Sequence, residues 1–284
     1  MSYLRQQMLD RMTLRGFSKS TQSAYIRWIE RLAKFHRLAA DKLSDTQLQS
    51  FLLDLIENKK LSSSSCRQAL HSIRFFYAQV LNRQISRLVL PNMKQGSKIP
   101  ELLSRQEVFD IIRACRDPKY QTMMLVGYGT GIRLNEITHL RVKDIDSDRQ
   151  VLRISQGKGK KDRYVILDAQ LLDVLRRYWQ LYRPTGPLFY GKDMRYEASG
   201  STLYKHFRRC LQRAGVHKQV GVHGLRHAFA THSLERGMPL AKLQQLLGHK
   251  QITTTLRYIH WLPRYKEQPG EMTQLLVGWE EMAC

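Results

Sequence analysis

The feature that most constrains this chain is a break in its pattern at residues 90–101, "LPNMKQGSKIPE". This stretch holds two prolines, a glycine and two lysines with few large apolar residues, a composition typical of a linker. Before it, apolar residues recur at helical spacing, and after it Ser104 and Glu107 form a capping box that begins a new helix. The sequence predicts a helical domain at 1–90, a linker at 91–100 and a second domain at 101–284.

The second domain is predicted to be helical with one β interruption. Two short β-rich runs, 151–155 and 163–167, flank a Gly-Lys-Gly-Lys-Lys turn, which is typical of a hairpin. Helical periodicity resumes at 171–182 and 202–214. We therefore expect a mainly α protein with a small β-hairpin or sheet: an all-helical first domain followed by a mixed α+β domain.

The charge of the chain indicates its partner. The net charge is +23, and residues 1–100 carry +11 of it while the rest carries +12. An excess spread over both halves favours contact with a polyanion along most of the chain, and nucleic acid is the usual one. The four cysteines form no CxxC pair, and no apolar run approaches the length of about 18 residues that a membrane span needs. We expect reduced thiols, no membrane contact and a cytoplasmic, nucleoid-associated location.

Two local motifs are weak when taken alone. In "TGIRLNEI", Arg133 and Glu136 are three residues apart, a spacing typical of an ordinary surface ion pair. The hairpin turn carries Lys158, Lys160 and Lys161, which would usually be solvated. A hairpin tip can also push an ammonium into a groove, where it would reach a phosphate or a base edge.

The motif "VHGLRHAFATH" places His223 and Arg226 on one helical face. A guanidinium there can fork onto two phosphate oxygens, and the imidazole beside it can donate a proton. His223 and His227 have the i,i+4 spacing of a zinc site, but Gly224 stands where the HExxH pattern needs glutamate. We predict no metal and no cofactor, and we expect His227 and His232 to be buried, hydrogen-bonded histidines.

The last motif, "LGHKQITTTLRYIH", sets His249 nine residues before Tyr258. Gly248 is expected to end one helix and Thr253 to cap the short helix that carries Tyr258. A turn between the two segments would bring both side chains to one point. Breaking a phosphodiester without metal needs a nucleophile, cations on the non-bridging oxygens and an acid for the leaving oxygen. The motifs together provide all three.

Six positions, in order and at specific intervals, resemble the tyrosine recombinases of the phage-integrase family: Arg133, Lys158, His223, Arg226, His249 and Tyr258. The resemblance covers nearly the whole chain and implies a core-binding domain and a catalytic domain that form a C-shaped clamp around DNA. It also implies strand cleavage and rejoining through a 3′-phosphotyrosyl ester, without metal or ATP.

The resemblance assigns a role to each matching position. Tyr258 is the nucleophile, Arg133 and Arg226 clamp the scissile phosphate, and the two histidines transfer protons and donate hydrogen bonds. Lys158 is the candidate general acid, with its neighbours in the turn left open as alternatives, and Glu136 orients the site. Further DNA contacts are expected from a set of basic residues: Arg15, Lys19, Arg27, Lys160, Lys161 and Arg163.

The place of the chain within the family stays open between Xer-like enzymes and integrases of integrons or other mobile elements. Integron integrases carry an extra segment before the HxxR helix, and the 64 residues between Lys158 and His223 look too few to hold it. A tail helix at about 268–284 is expected to dock on a neighbouring protomer and to link four subunits on DNA. The alternatives are a DNA-relaxing enzyme of type IB and a catalytically silent DNA-binding regulator.

Overall fold

The computed structural model describes residues 3–85, 88–90, 100–155 and 162–262. The chain divides into two compact units, Met1–Lys98 and Ile99–Cys284. Both units are mainly helical, as expected, and the described β structure lies in the second unit. Apart from Pro100 the predicted linker lies outside the described residues, as do the hairpin turn and the predicted tail helix.

In the part of the first unit that the structure describes, four α-helices pack around one core: α1 (Tyr3–Leu14), α2 (Lys19–His36), α3 (Asp45–Glu57) and α4 (Ser63–Phe75). A short 3-10 turn, Ala40–Lys42, follows α2, and a π-helical segment, Phe76–Val80, continues α4. The predicted apolar stripes form the core, which includes Leu32, Leu48, Leu52, Ile73 and Tyr77. Ser44 and Gln47 form a capping box at the start of α3, so local sequence determines where this helix begins.

The second unit begins with α5 (Arg105–Arg113), α6 (Pro118–Thr130) and the short α7 (Leu134–Thr138). The predicted capping box of Ser104 and Glu107 starts α5, and Asp117 caps α6 ahead of a proline in its first turn. Among the described residues, five more helices follow the sheet: α8 (Ala169–Tyr182), α9 (Gly200–Arg213), α10 (His223–Glu235), α11 (Leu240–Leu247) and α12 (Ile252–His260).

A three-stranded antiparallel sheet lies between α7 and α8. Its strands are β1 (Ile145–Asp146), β2 (Val151–Ile154) and β3 (Arg163–Ile166), in the order β1-β2-β3. The predicted hairpin is β2 and β3, paired from Val151 opposite Ile166 to Ile154 opposite Arg163. The alternation of buried and less buried residues in β2 fixes this register, because a slip by one residue would expose Leu152 and Ile154.

The core of the second unit is centred on α6 and α10. Along α10, Leu225, Ala228, Phe229 and Ala230 are buried, and α6 is buried over nearly its whole length. Helices that are apolar on most faces belong in a protein interior. Arg226 on α10 is therefore carried into the core by its neighbours, which makes its position rigid.

Two other features bear on the sequence predictions. Helix α12 begins at Ile252 after Gln251, without a side-chain cap, so the prediction of Thr253 as its N-cap was wrong. Within the part of the chain that the structure describes, no helix is both long and apolar enough to cross a bilayer.

Candidate active site

Arg226 is the most deeply placed cation of the site, with 2% of its surface exposed. Its Nη1 donates to the carbonyl of Gly131 at 2.7 Å, and its Nη2 donates to the carbonyl of Leu247 at 2.8 Å. A third bond joins Nη2 to Nε2 of His249 at 2.9 Å. Burial lowers the pKa of Arg226 to about 10, so the guanidinium stays charged at neutral pH while its orientation is fixed.

Arg133 stands just before α7 and pairs with Glu136 in its first turn. Glu136 accepts a bond from the Arg133 backbone amide at 2.8 Å and from Nη1 of the same residue at 3.0 Å. Arg163 adds two more bonds to this carboxylate, at 3.0 and 2.8 Å. Although burial opposes ionisation, the bonds from Arg163 and Arg133 lower the pKa of Glu136 to about 2. Glu136 is thus ionised and held between two guanidinium groups.

Three arginines donate hydrogen bonds to backbone carbonyls at the C-terminus of α11. Arg163 Nε donates to the carbonyl of Leu246 at 2.9 Å, Arg226 to that of Leu247 and Arg133 Nη2 to that of Gly248 at 3.2 Å. The last carbonyls of a helix lack intrahelical partners and carry the negative end of its dipole. This helix end therefore aligns three cations immediately before His249.

His249 is neutral and in a defined tautomer. Because a guanidinium has no acceptor, the bond from Arg226 makes Nε2 of His249 the acceptor. The proton must then be on Nδ1, which donates to Oγ1 of Thr255 at 2.9 Å. Burial, with Arg226 and Arg133 nearby, lowers the pKa of His249 to about 4. At neutral pH His249 therefore accepts the bond from Arg226 at Nε2 and donates from Nδ1 to Thr255.

Tyr258 lies on α12 with 3% of its surface exposed. Its ring is nearly parallel to that of His249, with centroids 6.2 Å apart, and contacts Trp261 edge-on at 5.1 Å. Its hydroxyl is hydrogen-bonded to Nδ1 of His227 at 3.2 Å. Burial raises the pKa of Tyr258, and the charge of Arg226 opposes that rise. The phenol is thus protonated at neutral pH and shielded from water.

The structure brings together the described residues of the predicted catalytic set. His223 is exposed at the start of α10, with its ring centroid 4.6 Å from that of His227, which reaches Tyr258. Lys158, Lys160 and Lys161 lie outside the described residues. In the first unit Arg15, Lys19 and Arg27 are exposed, and Arg15 donates to Gln79 at 2.6 Å.

Three side chains make contacts in the site that the sequence did not predict. His227 was expected to be buried and hydrogen-bonded; it is half-buried and hydrogen-bonded, and nothing in the motif identifies Tyr258 as its partner. Thr255 fixes the tautomer of His249 from within the run of threonines. Arg163 was expected to contact DNA, yet its side chain is 12% exposed and its guanidinium is engaged with Glu136 and Leu246. The contacts of His227 and Arg163 join parts of the chain that are 27 to 83 residues apart, so only a fold could have revealed them. Thr255 is only six residues from His249, but their contact depends on the turn between α11 and α12.

The arrangement is suited to an anion with tetrahedral oxygens. Two guanidinium groups, from Arg133 and Arg226, lie beside a neutral imidazole and a buried phenol. Guanidinium groups bind phosphate through paired hydrogen bonds, and a phenol oxygen can act as a nucleophile. Within the described ranges, no group of three or more His, Cys, Asp or Glu side chains has an arrangement that would hold a metal ion.

The chain matches the models of two known protein families. Residues 101–264 match the model of the phage integrase family, and residues 4–87 match the N-terminal SAM-like domain of phage integrases. The chain belongs to the phage integrase family. Tyrosine recombinases of this family cleave and rejoin DNA by transesterification, so the chain is an enzyme of that class.

Relatives of this family member include proteins named integrase/recombinase and tyrosine recombinase. An integrase/recombinase of Sinorhizobium fredii is 36% identical over 91% of this chain and 84% of its own length. The tyrosine recombinase XerC of Lactobacillus delbrueckii subsp. bulgaricus is 32% identical over 87% of this chain and 90% of its own length.

Two solved structures show the same fold. XerA recombinase has a TM-score of 0.53 at 26% identity and covers 92% of this chain and 99% of its own. A lambda integrase dimer bound to a core site has a TM-score of 0.71 at 18% identity, over 92% of this chain and 97% of its own. The Xer-like resemblance inferred from the motifs is thus represented among the relatives.

Proposed function

We propose that this enzyme is a site-specific DNA recombinase that cleaves and rejoins strands through a 3′-phosphotyrosyl intermediate. The observation that carries the proposal is the convergence of Tyr258 with the buried Arg226 and the neutral His249. The contacts among these residues join α10, α12 and the turn after α11. Packing of a hydrophobic core does not by itself require such a group of polar side chains. A buried cation beside a buried phenol prepares the site for a phosphate.

The reaction follows from these groups. Oη of Tyr258 attacks the scissile phosphorus, and its proton passes to one of the neutral imidazoles beside it. As the Oη–P bond forms, the bond from phosphorus to the 5′ oxygen breaks, and that oxygen takes a proton from Lys158. The energy of the broken ester is kept in the new one, so rejoining is the same step in reverse and needs neither ATP nor metal.

Arg133 and Arg226 stabilise the charge that develops on the non-bridging oxygens. Both guanidinium groups are already oriented by backbone carbonyls, so little reorganisation is needed when the phosphate arrives. His249 offers its Nε2 beside Arg226, and exposed His223 lies on the same side of α10 as His227. Preorganised donors of this kind each contribute about 10²–10³-fold in rate.

The proposed partner is double-stranded DNA that carries a recombination site. The net charge of +23 supports it, and the structural relatives include XerH recombinase bound to its difH substrate. The exposed Arg15, Lys19 and Arg27, with Lys160 and Lys161, are proposed to contact the backbone. We further propose that four subunits assemble on DNA through the C-terminal tail at about 268–284.

A covalent-adduct assay tests the proposal. Duplexes that bind the full chain are first selected from a random-sequence library, and a 5′-labelled version is nicked at each position across the selected site. A cleaved strand then loses its short fragment and cannot be rejoined, so a labelled protein–DNA adduct survives denaturation. We expect the adduct with wild-type protein and none with Tyr258→Phe, which leaves the ring packing intact.

The outcomes separate the alternatives. Binding to the selected duplex without an adduct at any nick position would contradict the proposal and favour a silent DNA-binding regulator. An adduct together with relaxation of supercoiled plasmid, but without exchange between two sites, would favour a DNA-relaxing enzyme. Arg176→Gln, which removes an exposed ion pair to Asp173 on α8, is the matched control and should behave as wild type.

A further inference from the structure

Arg163 makes more contacts with the site than any predicted DNA-binding residue in the described part of the chain. It is the first residue of β3, directly after the hairpin turn. Its side chain is 12% exposed, and its three nitrogens all donate hydrogen bonds within the protein. A side chain that is so fully engaged is not available to bind DNA.

The geometry of these bonds is specific to arginine. Nη1 and Nη2 bind the two oxygens of Glu136 at 3.0 and 2.8 Å, while Nε donates to the carbonyl of Leu246 at 2.9 Å. The planar fork of a guanidinium matches a carboxylate on one edge and leaves Nε free for a third partner. A lysine at this position would keep the charge but could not make this set of bonds.

Both partners of Arg163 are next to residues proposed to act on the phosphate: Glu136 contacts Arg133, and Leu246 lies shortly before His249. Glu136 also binds the backbone amide and Nη1 of Arg133, so its position determines where that guanidinium points. Leu246 lies three residues before His249, in the helix end that also accepts Arg226 and Arg133. Arg163 thus connects strand β3, the start of α7 and the end of α11.

We propose that Arg163 is a positioning residue for strand cleavage: it holds Glu136, and through it Arg133, together with the segment that carries His249. The inference rests on the proposed function, because it concerns the orientation of groups around the scissile phosphate. Removing Arg163 leaves Glu136 with Arg133 as its remaining guanidinium partner among the described residues. The carboxylate is then free to draw Arg133 away from the phosphate.

The test compares Arg163→Gln and Arg163→Lys with wild type in single-turnover adduct formation at saturating duplex. Two substrates are used: the nicked phosphodiester duplex described above and one with a methylphosphonate at the scissile position. The methyl group removes the negative charge that the arginine clamp stabilises. A cleavage defect that acts through Arg133 must therefore be smaller on the methylphosphonate.

We expect Arg163→Gln to slow adduct formation on the phosphodiester by about 100-fold, the cost of misplacing a catalytic group by about 1 Å. On the methylphosphonate the loss for Arg163→Gln should fall below about 10-fold. On the phosphodiester the rate of Arg163→Lys should lie between those of wild type and Arg163→Gln. The dissociation constant of the duplex should stay unchanged. Arg176→Gln should match wild type on both substrates, and thermal unfolding identifies the folded variants.

Three results would overturn the inference. Equal losses on both substrates would indicate a role in folding alone, and weaker duplex binding with a normal cleavage rate would indicate a DNA contact. Full activity of Arg163→Lys would show that a positive charge is sufficient without the paired hydrogen bonds of the guanidinium group. If Arg163→Gln does not fold, the comparison is made with Arg163→Lys. Failure of wild type to form any adduct would overturn the proposed function as well, whereas the three results above leave that function standing.

Discussion

Glu136 shows how one residue determines the behaviour of its neighbours. Its carboxylate accepts four hydrogen bonds, from two guanidinium groups and one backbone amide, and its side chain is 7% exposed. Removing one partner of such a pair is costly because it leaves an uncompensated buried charge. The stability of the folded protein should therefore depend on the ionisation of this residue.

We expect Glu136→Gln to destabilise the protein in a pH-dependent manner. The pKa of Glu136 falls from 4.5 to about 2 on folding, so its contribution is complete above pH 4.5 and is lost as the pH falls toward 2. Urea unfolding should show wild type more stable than the variant by about 3 kcal/mol at pH 7. The difference should narrow by about 2 kcal/mol at pH 3.

Asp173→Asn serves as the control for this experiment, because its ion pair with Arg176 is exposed and should contribute little at any pH. A constant difference between wild type and Glu136→Gln from pH 7 to pH 3 would contradict the predicted role of ionised Glu136.

At the scale of single residues, the sequence predicted which residues belong to the site better than it predicted their contacts. The three-residue spacing of Arg133 and Glu136 indicated their ion pair, and the structure contains it. The pairing of Glu136 with Arg163 spans 27 positions and that of Arg133 with Gly248 spans 115. Contacts of that kind depend on how β3 and α11 pack, and no local pattern encodes this packing.

The C-terminus of α11 is the element that organises the site. Three successive carbonyls, of Leu246, Leu247 and Gly248, each accept an arginine from a different part of the fold. Gly248 then turns the chain with a φ of +62°, which sends His249 back toward Arg226. The helix end thus acts as a common acceptor that holds three cations in fixed positions.

Gly248→Ala should disturb this element more than an ordinary glycine substitution. A Cβ at this position would lie 3.0 Å from Cζ and Nε of Arg163, and the positive φ adds a further cost of about 1–2 kcal/mol. Gly215→Ala is the matched control, since Gly215 has a φ of +67° with open space around its Cβ position.

We expect Gly215→Ala to lower the unfolding free energy by about 1–2 kcal/mol and to cleave DNA normally. Gly248→Ala should be less stable than this control and should also slow adduct formation. Equal stability and equal cleavage rates of the two variants would show that the contact with Arg163 is not limiting.

Among helices and strands, those with strong local sequence patterns were predicted best. The capping boxes at Ser44 and Ser104 and the hairpin of β2 and β3 are encoded within a few residues, and the structure contains them. The start of α12 was misjudged because Thr253, a good cap residue, lies one position inside the helix. Its side chain could act as the N-cap only if the helix began at residue 254, whereas the first helical residue is Ile252.

For the whole molecule, the spread of charge predicts strongly salt-dependent binding. Each phosphate contact contributes about −0.9 to the slope of log K against log salt concentration. Replacing Arg15, Lys19 and Arg27 together by glutamine should reduce that slope by about 1 per residue. Fluorescence anisotropy with the selected duplex at several salt concentrations measures it, and Arg176→Gln should leave it unchanged. An unaltered slope in the triple variant would exclude these residues as phosphate contacts.

Assembly is the second property of the whole molecule. Deleting residues 271–284 should abolish cooperative pairing of two duplexes and leave binding of one protein chain to a half-site intact, because we assign this segment to contacts between subunits. Native gel shifts with half-site and full-site duplexes distinguish the two states. Persistence of the paired complex after the deletion would contradict this assignment.

The buried cluster has a consequence for the order of events in catalysis. Arg133, Arg163 and Arg226 contribute three positive charges, Glu136 removes one, and His249 is neutral, so these residues together carry +2. A phosphodiester brings −1, which leaves the complex with an excess of one positive charge. When the phenol passes its proton to an imidazole and attacks, the pentacoordinate phosphorus group carries −2 and the imidazole carries the added positive charge. The total charge of the complex is unchanged, but the attraction between the cluster and the phosphorus group is stronger in the transition state than in bound DNA.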